Sequence, residues 1–142
     1  MNKTYHLNES AEIAAELLEL CGNPCVLAFY GSLGAGKTTL IGAICRQLGI
    51  AHSSSPTYAI MNEYISPAGE PVYHMDWYRL KEADEALDAE LDNALFSGKW
   101  CFVEWPEKAP EILPENTMHI RLSVANDPLE RRIEVSRNPF LE

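Results

Sequence analysis

Residues 31–38 read Gly-Ser-Leu-Gly-Ala-Gly-Lys-Thr and fit the pattern G-x-x-x-x-G-K-[ST] of a phosphate-binding loop. The apolar run 25–30 before the loop predicts a strand buried on both faces, and residues 39–48 after it have helical character. In this context the backbone N–H groups of the loop converge on phosphate oxygens at the positive end of a helix. The sequence therefore predicts a nucleoside triphosphate site, with the Lys37 ammonium at the β- and γ-phosphates and the Thr38 hydroxyl on magnesium.

The length of 142 residues favours a single domain that spans 1–142. No apolar run approaches the roughly 18 residues of a membrane span, and the N-terminus lacks the basic-then-apolar pattern of a signal peptide. None of the four cysteines belongs to a C-x-x-C pair, which favours buried thiols over zinc ligands or disulfides. These features predict a cytoplasmic protein with no membrane partner.

The net charge of −10 comes from 21 acidic and 11 basic residues. Such a charge repels phosphate backbones, so we expect work on nucleic acid to proceed through a protein partner. Acidic residues are concentrated in 82–92, where Leu87, Leu91 and Leu95 recur at helical spacing. The pattern fits a solvated helix face, and it also fits a docking face for a basic partner.

Strand and helix patterns alternate along the chain. A helix is expected after a capping residue, Asn8 or Ser10, with Ile13, Leu17 and Leu20 on one apolar face. Further strands are expected at 3–7, 58–65, 72–76, 100–104, 118–124 and 133–135. The sequence thus predicts an α/β fold, a P-loop nucleotidase three-layer sandwich with a largely parallel sheet and an antiparallel C-terminal hairpin. Ligands of such a sheet bind at the carboxyl ends of its strands.

Two acidic residues end predicted strands and so fall at that edge. Glu104 and Asp76 are competing candidates for handling magnesium, which prefers oxygen ligands. Thr57 lies in the loop where GTPase-like folds carry a threonine that senses the γ-phosphate. His74 is expected to pack or hydrogen-bond beside its strand, with proton transfer as the alternative. Trp105, at a strand exit, is a candidate for stacking or partner contact.

Four motifs, taken together and in order, closely resemble the TsaE family, and the resemblance covers nearly the whole chain. They are the loop at 31–38, Ser-Pro-Thr-Tyr at 55–58, His-Met-Asp-Trp-Tyr-Arg-Leu at 74–80 and Val-Glu-Trp-Pro at 103–106. Ser32 replaces an acidic residue that is common in this loop of the family, and Trp77 replaces the usual leucine. Neither departure removes a group needed to bind phosphate or magnesium.

This resemblance implies an ATPase of bacterial tRNA threonylcarbamoyladenosine biosynthesis that works with two partners, TsaD and TsaB. The assembly places a threonylcarbamoyl group on the adenosine next to the anticodon in tRNAs that read codons starting with A. By the same resemblance, this chain is not the transferase, its ATP hydrolysis resets the complex between turnovers, and it meets tRNA only indirectly.

The resemblance also implies residue roles. The phosphates of ATP are expected against Gly34, Ala35, Gly36, Lys37, Thr38 and Thr39. Thr38 and Glu104 are expected to hold magnesium, directly or through water. Thr57 and Asp76 would position the attacking water or report the γ-phosphate, and the division between them stays open. Adenine is expected near Leu7 and Asn8, with Arg132 as a second contact.

Two other classes of function remain open. A small-molecule kinase would use the same loop, although the sequence lacks the arginine-rich lid that such enzymes usually carry. A nucleotide-dependent assembly switch would bind ATP without hydrolysing it. No N-K-x-D guanine motif occurs in the body of the chain, so ATP is favoured over GTP. The absence of an obvious arginine finger predicts slow hydrolysis by the isolated chain.

Overall fold

The computed structural model describes residues 1–53, 60–80 and 89–140. Three predictions concern residues outside these ranges: Thr57, expected to position the attacking water or to report the γ-phosphate, Leu87, and most of the acidic segment. The regular elements are β1 Asn2–His6, α1 Ser10–Cys21, β2 Val26–Tyr30, α2 Lys37–Gln47, β3 Met61–Ile65, β4 Pro71–Asp76, α3 Ala89–Leu95, β5 Cys101–Glu104, β6 Met118–Val124 and β7 Glu130–Ser136. Among the described residues, no helix combines the length and apolar character needed to cross a membrane.

The strands form one seven-stranded sheet in the order β1-β7-β6-β2-β5-β4-β3. Its centre is parallel, because β2 pairs in parallel with both β5 and β6, and β4 pairs in parallel with β5. The predicted C-terminal hairpin is the antiparallel pair β6–β7. Antiparallel pairing extends to both edges of the sheet, where β1 joins β7 and β3 joins β4. The α/β fold with a parallel core is therefore confirmed.

Helices cover both faces of the sheet. Leu27 and Phe29 of β2 face the core shared with α1 and α2, whereas Val26 faces a second core that includes Leu91 and Leu95 of α3. Successive side chains of a strand point to opposite faces, so an apolar strand such as β2 supplies both cores. The result is the predicted three-layer arrangement, with β2 buried along its whole length.

The predicted cap of α1 is wrong. The helix is preceded by a 3-10 turn at Leu7–Glu9, in which His6 Nδ1 accepts from the Asn8 N–H at 3.2 Å and the Glu9 carboxylate accepts from the His6 N–H at 2.7 Å. Ser10 is the first helical residue, and its hydroxyl donates to the Leu7 carbonyl at 2.7 Å. The reciprocal bonds of His6 and Glu9 therefore cap the 3-10 turn, whereas Glu9, the residue at the N-cap of α1, makes no side-chain capping bond to the helix.

The predicted apolar face of α1 is correct at Ile13 and Leu17 and wrong at Leu20, which is 45% exposed. The buried stripe also runs through Ala14 and continues to the half-buried Cys21. At 3.6 residues per turn this stripe leaves Leu20 at its flank. The expectation failed because it counted only large apolar residues and omitted the alanine that fixes the centre of the face.

The remaining expectations on the described residues are close to the structure. The turn between β3 and β4 closes through a bond from the Gly69 N–H to the Ser66 carbonyl at 2.8 Å. Strand β3 begins at Met61, and the earlier part of the predicted strand 58–65 reaches outside the described ranges. The predicted buried thiols are found at Cys25, Cys45 and Cys101, whereas Cys21 is only half-buried.

We predict that Leu17→Ala and Leu20→Ala differ sharply, although both remove the same atoms from the same helix. Leu17 is fully buried between α1 and the sheet, so its truncation leaves a cavity and should lower the free energy of unfolding by about 3 kcal/mol. Leu20→Ala should lower it by less than about 1 kcal/mol. Urea unfolding of the two variants measures both values, and equal losses would contradict this assignment of the core.

Candidate functional site

The carboxyl ends of three neighbouring strands meet at one edge of the sheet. The register pairs Phe29 of β2 with Glu104 of β5, and it pairs Asp76 of β4 with the same Glu104. The phosphate-binding loop begins directly after β2, at Gly31. Parallel pairing thus brings the two strand-end acids and the loop together, because parallel strands end on the same side of their sheet.

The loop has a backbone that requires glycine at several positions. Gly34 and Gly36 have φ angles of 81° and 103°, and Gly31 has a φ of 151°. A Cβ on Gly31 would lie 2.7 Å from the Leu122 carbonyl oxygen of β6. Gly36 is the N-cap of α2, which begins at Lys37, two residues earlier than predicted. The first amides of α2 have no carbonyl partner within the helix, so they form a natural anion site.

The Lys37 side chain is held across the loop. Its Nζ donates to the Gly31 carbonyl at 2.6 Å and lies 3.5 Å from the centroid of the Trp105 ring. The residue is only 5% exposed, and this burial lowers the pKa of Lys37, although the nearby carboxylates of Glu104, Glu107 and Asp76 act in the opposite direction. The site therefore holds a partly desolvated ammonium beside the loop.

Glu104 is buried and each of its carboxylate oxygens has a neighbour. Oε2 lies 2.7 Å from Nε2 of the buried His74, and Oε1 accepts from the Thr38 hydroxyl at 3.3 Å. His74 is thus a hydrogen-bonding neighbour of the site, which agrees with the prediction that it packs or hydrogen-bonds beside its strand. Hydroxyl and carboxylate oxygens are the ligands that magnesium prefers, so the chemistry of this pair fits a magnesium ion at the start of α2.

Asp76 and Trp105 lie at the rim. One carboxylate oxygen of Asp76 accepts from the Tyr78 N–H at 2.9 Å, which fixes the carboxylate at the end of β4. Trp105 adopts a left-handed backbone conformation with φ of 59°, which turns the chain sharply after β5. Its ring lies 4.9 Å from the ring of the half-exposed Tyr78, centroid to centroid. Trp77, in contrast, is a fully buried core residue.

A cavity of about 400 Å³ joins these groups. Its lining consists of Leu7, Leu33, Gly34, Gly36, Lys37, Thr38, Thr39, Asp76, Glu104, Trp105 and Arg131. The structure therefore brings together most of the residues that the sequence singled out. Ala35 is buried within the loop.

Two predicted adenine contacts lie elsewhere. Asn8 lines a separate groove between β1 and α1, together with Lys3 and Glu12. Arg132 is exposed, and its Nε lies 3.7 Å from a carboxylate oxygen of Glu134. The physical reason is the strand alternation of β7, in which Arg132 points away from the face that packs under the loop. Only Leu7 of the predicted adenine region borders the cavity.

Sequence reasoning missed Arg131, which lines the cavity. Its Nε donates to the Ala35 carbonyl at 2.9 Å and one Nη donates to the Gly34 carbonyl at 3.4 Å. The signal was present in the sequence, because Arg131 has the same strand parity as the buried Ile133 and opposite parity to Arg132. An arginine on the apolar side of a strand indicates a buried contact for its guanidinium.

The chain is similar to proteins of one known family. The family model described as Threonylcarbamoyl adenosine biosynthesis protein TsaE matches residues 4–133. The chain belongs to the TsaE family. The resemblance drawn from the four motifs is therefore confirmed, and the family is one of tRNA threonylcarbamoyladenosine biosynthesis.

Relatives named tRNA threonylcarbamoyladenosine biosynthesis protein TsaE include proteins of Bacillus subtilis and Haemophilus influenzae. The Bacillus subtilis protein is 40% identical over 109 residues, which span 76% of this chain and 66% of that protein. The Haemophilus influenzae protein is 34% identical over 128 residues, 87% of this chain and 78% of that protein. The crystal structure of Bacillus subtilis YdiB aligns with a TM-score of 0.67 at 31% identity, covering 94% of this chain and 84% of YdiB. Sequence and structure thus agree on the fold.

We predict that Gly31→Ala destabilises this TsaE-family protein by about 2 kcal/mol or more, because the new Cβ would meet both a positive φ and the Leu122 carbonyl. The matched control is Gly69→Ala, which has a φ of 83° but nothing within 4 Å of the added Cβ. That variant should lose about 1 kcal/mol. Urea unfolding compares the two, and a Gly31→Ala protein as stable as the Gly69→Ala protein would contradict the close approach to β6.

Proposed function

We propose that this TsaE-family protein binds ATP with magnesium and hydrolyses it slowly in support of tRNA threonylcarbamoylation. The observation that carries the proposal is one cavity in which Lys37, Thr38 and Glu104 meet at the start of α2. A triphosphate requires a cationic group such as the ammonium, and its bound cation requires oxygen ligands such as the hydroxyl and the carboxylate.

The phosphate-binding part of the proposal rests on the loop. The first amides of α2 and the Lys37 ammonium border the same cavity, and both favour an anion. In the proposed complex Lys37 would exchange its bond to the Gly31 carbonyl for phosphate oxygens. The desolvation that lowers the pKa of Lys37 also makes an anionic partner more favourable, because little water has to be displaced from the ammonium.

The magnesium part rests on Thr38 and Glu104, whose oxygens lie 3.3 Å apart. These two residues would hold the ion, directly or through water, as the sequence predicted. The bound ion would neutralise charge on the β- and γ-phosphate oxygens during phosphoryl transfer. His74 would keep the Glu104 carboxylate fixed through its bond to Oε2.

Hydrolysis requires an oriented water. Asp76 borders the cavity with its carboxylate fixed by the Tyr78 N–H, so we assign it the role of orienting that water. The sequence names Thr57 for the same task or for sensing the γ-phosphate, and that residue lies outside the described ranges. Arg131 is engaged with backbone carbonyls, so it does not act as an arginine finger, and slow basal turnover follows.

The partner part of the proposal follows from the family and the charge. The family is one of tRNA modification, yet a net charge of −10 opposes direct binding of tRNA. We therefore propose that this chain acts in the cytoplasm through TsaD and TsaB, which meet the tRNA in its place. Trp105 and the half-exposed Tyr78 beside the cavity are the surface we assign to partner contact.

The first test is magnesium-dependent phosphate release from ATP, with nucleotide binding measured by calorimetry. Lys37→Ala should weaken ATP binding by about tenfold or more, because it removes the ammonium that faces the phosphates. Glu104→Ala should retain ATP binding and lower turnover by about a hundredfold, because it removes an oxygen ligand of the ion. Lys99→Ala is the control, since Lys99 pairs with Glu70 on the surface. Wild-type turnover by Glu104→Ala would remove Glu104 from the magnesium site.

The second test adds the partners. Phosphate release should rise on the order of tenfold or more with TsaD–TsaB, since the sequence carries no obvious arginine finger. Equal turnover with and without the partners would contradict a partner-stimulated ATPase. ATP binding without phosphate release under any condition would instead establish an assembly switch, and a phosphorylated product from nucleosides or small alcohols would establish a kinase.

A further inference from the structure

Arg131 is a buried cation with an unusual set of partners. Its guanidinium donates to four backbone carbonyls: Ala35 at 2.9 Å, Gly34 at 3.4 Å, Pro128 at 2.7 Å and Glu130 at 3.0 Å. The residue is 9% exposed. Two of these carbonyls belong to the phosphate-binding loop and two to the start of β7 and the turn before it. The guanidinium therefore ties the C-terminal hairpin to the loop.

The bonds to the loop orient its amides. In a trans peptide the carbonyl and the following N–H point in opposite directions. Because the Ala35 carbonyl points to Arg131, the Gly36 N–H points away from Arg131. A Cβ on Gly36 would lie 3.4 Å from Arg131 Nε, so the guanidinium also packs directly against the loop backbone. Gly36 also lines the cavity, so its bonded neighbour Ala35 fixes the direction of a cavity-lining amide before any anion binds.

The charge of Arg131 is not neutralised by a carboxylate within the described ranges, where each of its bonds ends on a carbonyl oxygen. Carbonyls satisfy the N–H groups but leave the positive charge in place. A buried charge without a counter-ion is unfavourable until an opposite charge arrives. Arg131 also lines the cavity shared by Lys37 and Thr38, where a polyphosphate would supply that charge.

We infer that Arg131 is a positioning residue for the phosphate-binding loop, which holds the Gly34 and Ala35 carbonyls so that the Gly36 amide faces the phosphates and which adds positive charge to their site. The inference rests on the proposed nucleotide binding and deepens it. It makes the C-terminal hairpin a structural part of the phosphate site, although the hairpin lies far from the loop in sequence.

The test uses two neighbouring arginines as a matched pair. Arg131→Gln removes the charge and most donors, and Arg131→Lys keeps the charge but loses the planar fork that reaches several carbonyls. Arg132→Gln and Arg132→Lys change the same residue type one position along β7, on the exposed side. Calorimetry measures binding of ADP, ATP and inorganic pyrophosphate, and amide exchange by NMR follows residues 32–36 in the protein without nucleotide.

We expect Arg131→Gln to weaken the binding of all three ligands by about tenfold or more. The affinities of Arg131→Lys should lie between those of Arg131→Gln and the wild type. The affinity for pyrophosphate should fall by the same factor as the affinity for ADP, since the contact is with phosphates and not with the base. Both Arg131 variants should speed amide exchange in residues 32–36, a readout that needs no nucleotide. The Arg132 variants should stay within about twofold of wild type in every measurement.

Three results would overturn the inference. One is a folded Arg131→Gln protein that binds as wild type does. Another is full rescue by lysine, which would reduce the role to charge alone. The third is unchanged amide exchange in both variants. A wild-type protein that binds neither ATP nor pyrophosphate, with Lys37→Ala no different, would instead remove the proposed function itself, and the two failures are thus separable.

Discussion

Parallel pairing on both sides of β2 is the constraint on which the rest of this structure depends. Strand β5 lies on one side of β2 and β6 on the other, so every residue of β2 is buried. The chain first becomes accessible again at the carboxyl end of β2. The chain then turns at Gly31 against the Leu122 carbonyl, and this turn opens the predicted phosphate-binding loop at 31–38. The same pairing sets Glu104 opposite Phe29, so the magnesium candidate arrives beside the loop as a consequence of register.

Local electrostatics in this protein differ from its overall charge. The chain carries a net charge of −10, yet one cavity is bordered by the ammonium of Lys37, the guanidinium of Arg131 and the first turn of α2. Both cations are largely buried, and burial makes each charge more sensitive to an anion than it would be in water. The carboxylates of Asp76 and Glu104 also border this cavity, so it combines two buried cations with two acids. The acidic exterior, in contrast, opposes a nucleic acid backbone.

How much the sequence predicts depends on the range of the interaction involved. The loop at 31–38 and the strand before it are local patterns, and they were placed within two residues. The roles of Arg131 and Arg132 depend on which side of β7 packs under a loop far away in sequence, and the adenine contact was assigned to the exposed residue of the two. Because side chains alternate along a strand, Arg131 lies on the same side of β7 as the apolar Ile133, and Arg132 lies on the other side. This difference identifies the arginine near the loop only when the hairpin is known to lie beside the loop.

The helix α1 shows a second kind of limit. Ile13 and Leu17 follow from apolar spacing, whereas the exposure of Leu20 depends on the centre of the buried stripe, which small residues help to set. The predicted cap was wrong because a 3-10 turn, closed by reciprocal bonds of His6 and Glu9, precedes the helix and makes Ser10 its first residue. Capping preferences rank residues one at a time and do not indicate such a turn.

Trp105 gives the site a direct connection to the protein surface. Its ring contacts the Lys37 ammonium on the cavity side and the half-exposed Tyr78 on the other, and the Lys108 ammonium lies 5.5 Å from the Tyr78 ring centroid. In the proposed function, a nucleotide that drew Lys37 away from the ring would change the contacts of Trp105, and a protein bound over Tyr78 would act on the same ring from outside. A single side chain therefore separates the proposed partner surface from the phosphate site. In the proposed function, nucleotide and partner would thus both act on the ring of Trp105, and a coupling between them would be carried by this side chain.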